Sequence, residues 1–186
     1  MNASRIAPVS EPVAPAIRER LDRVLPPGLP TPQIYLTLLR NEGLFTHMID
    51  SGLLGPTGLM DRGSIDSTLR ELLILRTCVA TGNDYEFNLH VTTISERMGL
   101  TRAQIEDVRR PSPTEGVWSA RQVALVLLVD ALVKRLDVTD EEFAAAREHF
   151  DDATLIEITM LVGLYVLAAM VAALARPQMD AYQRPG

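Results

Sequence analysis

The stretch Arg70–His90 reads RELLILRTCVATGNDYEFNLH, and its spacing decides the fold. Between Leu72 and Ala80 the single charge is Arg76, so this half reads as a largely buried helix running from Asp66 to Thr81. Thr81-Gly82-Asn83 is a turn. A second helix opens at Asp84-Tyr85-Glu86 and is expected to continue to Met98, where Gly99 ends it. The product is a helical hairpin that offers two carboxylates and an imidazole to its inside: Glu71, Glu86 and His90.

On the first helix Glu71 shares a stripe with Ile74, Leu75 and Cys78, at spacings of three, four and seven. A carboxylate among such neighbours is desolvated, and its pKa rises unless a cation or a donor compensates. A raised carboxyl pKa suits a general acid or base at neutral pH. Arg76 lies five positions on, about 140° around the helix, so it cannot pair with Glu71 along one face. It is expected to reach another helix, a partner subunit or an anionic substrate group, which makes it a candidate substrate-binding residue.

On the second helix Glu86 and His90 are four apart and stack on one face, where a carboxylate can fix the imidazole tautomer and raise its basicity. Tyr85 supplies a phenol beside the turn, and the helix start offers free amides at the positive end of its dipole. Glu71, His90, Tyr85 and Glu86 are therefore the candidate catalytic residues, with Arg76 and Asn83 as candidate substrate contacts. Structural readings stand beside these. Asn83-x-x-Glu86 is a capping box in its own right. His90 can be a satisfied core histidine, and Glu71 an ion-pair partner of an arginine.

Outward from the hairpin the helical pattern continues. Upstream, Ile34 to Ile49 gives two short amphipathic segments broken near Asn41–Gly43, then a Gly-rich loop. Downstream, Thr101-x-x-Gln104 and Thr139-x-x-Glu142 are capping boxes that open helices to Arg109 and His149. Trp118 to Leu136 is helical, and Asp151 to Thr154 opens a long apolar helix that Pro177 stops. Seven of the twelve prolines fall in residues 1–32, which predicts an arm with one short helix near Ala16–Val24. The expected architecture is all-α, a single-domain bundle of seven to nine helices: arm 1–32, helical domain 33–177, tail 178–186.

Composition narrows the function classes. The chain has 186 residues, 47% of them apolar, which suits one well-buried core. A net charge of −6 argues against a nucleic-acid partner, and no polybasic cluster addresses a membrane surface. One cysteine, Cys78, excludes an intrachain disulfide and a CxxC pair, and inside an apolar helix it reads as a small core residue. With no apolar leader at the N-terminus, the expected compartment is the cytoplasm. His47, His90 and His149 are too scattered to argue a metal site, so neither metal nor cofactor is expected. The uncharged run Ile158–Ala175 meets the length of a membrane span, but its Thr159, Gly163 and Tyr165 favour a helix buried in a bundle or an oligomer interface. A Tyr165 hydroxyl in so apolar a helix needs a partner.

The residues Arg70-Glu71-Leu72, Leu75-Arg76, Gly82-Asn83-Asp84-Tyr85-Glu86, His90 and Gly99-Leu100-Thr101 resemble the carboxymuconolactone decarboxylase family, which includes the alkylhydroperoxidase D-like proteins. The specific part of the likeness covers residues 64–110. The resemblance implies the alkylhydroperoxidase D-like helical fold and homo-oligomers, trimers or hexamers before dimers. In the peroxidase branch a CxxC pair precedes the histidine by seven and four residues. Those positions are Asn83 and Glu86 here, so thiol peroxidase activity is not expected. The branch's proton-relay glutamate and histidine fall on Glu71 and His90. The resemblance thus implies a lyase or isomerase that moves protons on a small carboxylate- or carbonyl-bearing metabolite. The alternatives are an antioxidant protein of the same fold and a non-enzymatic ligand-binding oligomer.

Overall fold

The computed structural model describes residues 4–182. Among them it contains nine α-helices, one short 3-10 turn and no strand. The chain divides into two compact units: one built from residues up to Arg62 together with Met170–Ala181, the other around Gly63–Ala169.

The first unit holds α1 (Pro15–Val24), α2 (Gln33–Leu38), the 3-10 turn Leu39–Asn41 and α3 (Glu42–Asp50). The one short helix expected in the proline-rich arm over 1–32 forms as α1, and the arm is fastened to the elements that follow it. Ile17 and Leu21 of α1 are buried, and Arg20 and Arg23 both pair with Asp50 of α3. Val9 donates its amide to Leu36, and Arg40 donates to the carbonyls of Ala7 and Pro8. Prolines break the helices here, yet polar side chains bind the intervening loops to the same unit as 33–62. The expected tail from 178 is likewise tied in, since Gln33 donates its amide to Asp180. Its last four residues lie outside those described.

The second unit holds α4 (Ser67–Thr81), α5 (Asp84–Thr93), α6 (Arg102–Asp107), α7 (Ala120–Arg135), α8 (Asp140–Arg147) and most of α9 (Asp152–Ala175). α4 is the central helix and packs most extensively on α7. It starts where Asp66 accepts the amide of Leu69 at 3.0 Å. It ends at Gly82, whose φ of +68° suits glycine, while the amides of Gly82 and Asn83 return to the carbonyls of Val79 and Cys78. That closure turns the chain straight into α5.

The second helix of the hairpin is shorter than its sequence implies. It stops at Thr93, and residues 94–99 form turns instead of helix to Met98. Val91, Thr92, Thr93 and Ile94 are consecutive β-branched residues, which disfavour helix. The hydroxyls of Thr92 and Thr93 also bond back to the carbonyls of Asn88 and Leu89. Ile94 leaves the helical region at φ −140°. The turn is anchored to the start of α4, where Thr68 donates to the Met98 carbonyl at 2.8 Å.

Candidate functional site

The hairpin brings Glu71 of α4 and His90 of α5 into direct contact. The His90 Nδ1 lies 3.1 Å from both carboxylate oxygens of Glu71. An ionised carboxylate can only accept, so Nδ1 carries a proton and donates it. Ser95 donates its hydroxyl to Glu71 Oε1 at 2.5 Å. Glu71 and Ser95 are wholly buried, and His90 nearly so.

Burial works against charge on both groups of this pair. For Glu71 it is the largest single influence and raises the pKa. The positive His90, the His90 hydrogen bond and the Ser95 hydroxyl outweigh it, so the carboxyl sits below its ordinary value. For His90 burial lowers the pKa most strongly, but Glu71 and then Glu86 outweigh it and hold the imidazole above its ordinary value. The sequence expectation of a raised Glu71 pKa assumed no compensating partner. Here there are two, and the raised group is the histidine.

The other ring nitrogen is held loosely. His90 Nε2 lies 3.4 Å from the hydroxyl of Tyr165 on α9, and 3.9 Å from Glu86 Oε2. Both distances exceed a well-formed hydrogen bond. The Tyr165 ring meets the imidazole edge to face, with centroids 5.6 Å apart.

Glu86 fills half of its expected capping role. Asn83 Oδ1 accepts the Glu86 amide at 3.3 Å, as an N-cap should. The reciprocal bond is replaced, because the Asn83 amide goes to the Cys78 carbonyl at 2.8 Å. The Glu86 carboxylate instead approaches His90, one turn along. Asn83 is 6% exposed, and its Nδ2 has no hydrogen-bond partner within the protein.

Tyr85 is buried in the first turn of α5, five positions before His90 and so about 140° around the helix. The phenol at the imidazole is that of Tyr165. Arg76 does not present a free cation to a ligand. Its guanidinium donates to both oxygens of Asp130 on α7, at 2.6 and 2.5 Å, and to the carbonyls of Val108, Arg110 and Pro111. With its donors engaged and 2% of its surface exposed, Arg76 clamps α4 to α7 and to the loop after α6. Burial alone would raise the Asp130 pKa, but the hydrogen bonds from Arg76 and Lys134 outweigh it and lower it.

Cys78 is 1% exposed, and burial pushes its thiol well above the ordinary range, with Glu86 and Glu71 adding to the effect. A thiol so suppressed is a poor nucleophile. Among the described residues no three His, Cys, Asp or Glu side chains are grouped to hold a metal ion. An open groove of about 500 Å³ in the first unit is lined by Arg18, Asp22, Leu25 and the Pro26–Pro30 turn, with no contribution from the hairpin residues.

Residues 56–130 match the model of the carboxymuconolactone decarboxylase family. The segment so matched is similar to that family. It contains the whole hairpin and the Arg76–Asp130 clamp. Among solved structures, the chain is similar to a protein of unknown function from Agrobacterium tumefaciens, suggested to be the antioxidant defence protein AhpD. That match has 26% identity over 66% of this chain and 84% of the other, with a TM-score of 0.59. A second likeness is to a cysteine-to-alanine variant of the debrominase Bmp8 in complex with 2,3,4-tribromopyrrole. It has 18% identity over 97% of this chain and 94% of the other, with a TM-score of 0.76. The second shares the fold across nearly the full length. A search of curated proteins gave no match. The all-α, alkylhydroperoxidase D-like architecture read from the hairpin is the architecture found.

Sequence reading missed two residues of the cluster, Ser95 and Tyr165. A continuous helix to Met98 would carry Ser95 about 140° away from His90; the break at Thr93 brings it to Glu71 instead. The run of β-branched residues was the available signal. For Tyr165 the need for a partner was legible, but not that the partner stands 75 positions earlier.

Proposed function

We propose that this protein is a cofactor-independent acid–base enzyme, a lyase or an isomerase, acting on a small carboxylate- or carbonyl-bearing metabolite, lactones included. The observation that carries the reading is the asymmetry of His90. One nitrogen is fixed by both oxygens of a buried carboxylate, and the other has only long contacts. That is the arrangement of an oriented proton carrier whose working nitrogen can still bind a substrate.

The direction of the His90 pKa sharpens its role. Held above its ordinary value, the imidazole is charged over more of the neutral range and serves as proton donor. Loss of carbon dioxide from a β-keto or lactone acid leaves a carbanion or enolate that needs such a donor at carbon. In an isomerisation the same nitrogen would first take the proton and then return it at another carbon. Tyr165 and the Asn83 amide would hold the developing oxygen anion, and Tyr85 is a further candidate for that place. Glu71 keeps the imidazole oriented and charged, and Glu86 supports its basicity. The debrominase neighbour binds a small flat ring, a substrate size that this reading also favours.

The test is turnover of a panel of lactone acids and keto acids in deuterated water, with product followed by mass spectrometry. The expected result is deuterium placed at the carbon that lost the carboxylate or proton, with a loss of about 10²–10⁴-fold in His90→Ala. Equal turnover by the wild type, His90→Ala and Glu71→Gln would refute the mechanism. Peroxide consumption with a dithiol donor is expected to be the same in wild type and Cys78→Ser. A Cys78-dependent peroxidase signal would favour the antioxidant reading.

A further inference from the structure

On the side of the imidazole away from Glu71, His90 Nε2 and Glu86 Oε2 lie 3.9 Å apart. That gap is too long for a direct hydrogen bond and short enough for one polar group to touch both atoms. A protonated Nε2 only donates, and an ionised carboxylate only accepts. A group lying across the pair therefore meets a donor on one side and an acceptor on the other. Glu71, Glu86, His90 and Tyr165 are all buried, so solvent screens charge weakly there.

The arginines of this region are committed elsewhere. Arg76 is held by Asp130 and three carbonyls. Arg109 pairs with Asp84 and lies over the ring of Phe87. Arg97 donates to the Thr93 carbonyl, and Arg70 reaches the Met98 sulfur. Glu71 already balances the charge of His90. What remains at the imidazole is a contest between Glu86 and Arg70, and Glu86 has the larger influence. The same carboxylate acts on the Cys78 thiol of α4, where it outweighs Arg109. The residual field around Nε2 is thus negative.

A free carboxylate suits this place badly. Its oxygens can accept from Nε2 and from the Tyr165 hydroxyl, 3.4 Å away from that nitrogen. It has nothing to donate to Glu86, which it meets charge against like charge. A neutral carbonyl compound suits it well. The carbonyl oxygen accepts from Nε2, and an N–H, a hydroxyl or an acidic C–H beside the carbonyl points to Glu86.

We propose that Glu86 is the specificity-determining residue of this site: it keeps free carboxylates away from His90 Nε2 and admits neutral carbonyl compounds that carry a donor beside the carbonyl. Carboxamides, lactams and hydroxyketones are the simplest members of that class. The proposal rests on the reading that substrate is received at Nε2. Within that reading it selects proton transfer on a neutral carbonyl compound over loss of carbon dioxide from a carboxylate held at that nitrogen.

The test is binding of two probes of one shape, 2-furamide and 2-furoate, to the full chain at pH 7, followed by the nitrogen-15 signals of the His90 imidazole. Like charges about 4 Å apart at an effective dielectric of about 20 shift an equilibrium by up to about 10³-fold, and partial screening leaves about 10–100-fold. Wild type is expected to bind 2-furamide at least about 10-fold more tightly than 2-furoate. Glu86→Gln is expected to tighten 2-furoate by about 10–100-fold and to leave 2-furamide within a few fold. A Glu86 that only supported the positive charge of His90 would give the opposite sign, because its removal would weaken 2-furoate. The wild-type comparison needs no variant, so it stands whether or not Glu86→Gln folds. Equal binding of the two probes by wild type, weaker 2-furoate binding by folded Glu86→Gln, or failure of both probes to move the His90 signals would each overturn the proposal. Binding is read apart from turnover: the charge preference without turnover would fault the chemistry, and turnover without the preference would fault the role of Glu86.

Discussion

Replacing Glu71 by glutamine removes a negative charge and almost nothing else. Size and shape are kept, and the amide oxygen can still accept one of the two bonds that Oε1 now takes from Ser95 and His90. His90 loses the two largest influences that raise its pKa, the charge of Glu71 and its hydrogen bond, leaving burial opposed mainly by Glu86. The imidazole pKa must therefore fall, and the proton-donating form recedes from neutral pH. Losing one partner of a buried ion pair costs about 3–5 kcal/mol when the other stays charged. His90 can escape by losing its proton, so the expected cost lies nearer the ~1–3 kcal/mol of a mismatched buried hydrogen bond.

The pH dependence has a definite sign. Glu71 has a lowered pKa in the fold, so its contribution is complete above its ordinary 4.5 and disappears as pH falls through the folded value. His90 has a raised pKa, so its contribution is complete below its ordinary 6.5 and disappears as pH rises through the folded value. The stability gap between wild type and Glu71→Gln should be widest between about pH 4.5 and 6.5 and narrow on both sides. Denaturant unfolding across pH 4–9 measures the gap. Nitrogen-15 spectra of the imidazoles follow His90 directly, with His47 and His149 as references. A gap that does not change with pH, or a His90 titration that Glu71→Gln leaves in place, would refute the coupling.

Two further substitutions test the scaffold. Arg76→Ala leaves three carbonyls without their donor and Asp130 with Lys134 alone, and about 3 kcal/mol of stability should be lost in denaturant unfolding; a loss below about 1 kcal/mol would argue against the clamp. Gly99→Ala places a Cβ against the Thr68 hydroxyl at a φ of +102°, and should cost about 1–3 kcal/mol. Adding Thr68→Ala relieves the collision but not the backbone strain, so it should recover part of that loss, and full recovery would show that φ is not strained.

What was legible in the chain follows from what local spacing controls. Residues on one regular helix are placed by 3.6-residue geometry, so Glu86 and His90 were read correctly as sharing a face. The short Gly82 turn placed Glu71 near that face without further information. Arg76 was legible only as a charge that must leave its own helix. Its choice between Asp130 and a substrate is made by a helix more than fifty residues away, and no local pattern encodes that. The end of α5 was misplaced because Gly99 is a strong stop signal and the β-branched run before it is a weak one. The fastening of the arm was not legible for a related reason: proline density reports where helices cannot run, and says nothing of the Arg20, Arg23 and Asp50 pairs that hold the segment down.

The composition of the buried cluster itself bears on whether it is only structural. A buried imidazole needs one carboxylate to balance its charge, and Glu71 already supplies both oxygens to Nδ1. Glu86 places a second carboxylate 3.9 Å from the other nitrogen, in a residue 6% exposed. Two carboxylates thus act on one imidazole, with Arg70 opposing them. Burying charge is costly, and an apolar residue of similar volume would serve a purely structural core better. The capping requirement does not account for Glu86 either, because the Asn83 amide is already satisfied by Cys78. Asn83 compounds the expense with an unpaired buried donor in the same stretch of chain. Costs of this kind, gathered around one loosely held imidazole nitrogen, are what a site for a charged or oxygen-rich substrate incurs before that substrate arrives.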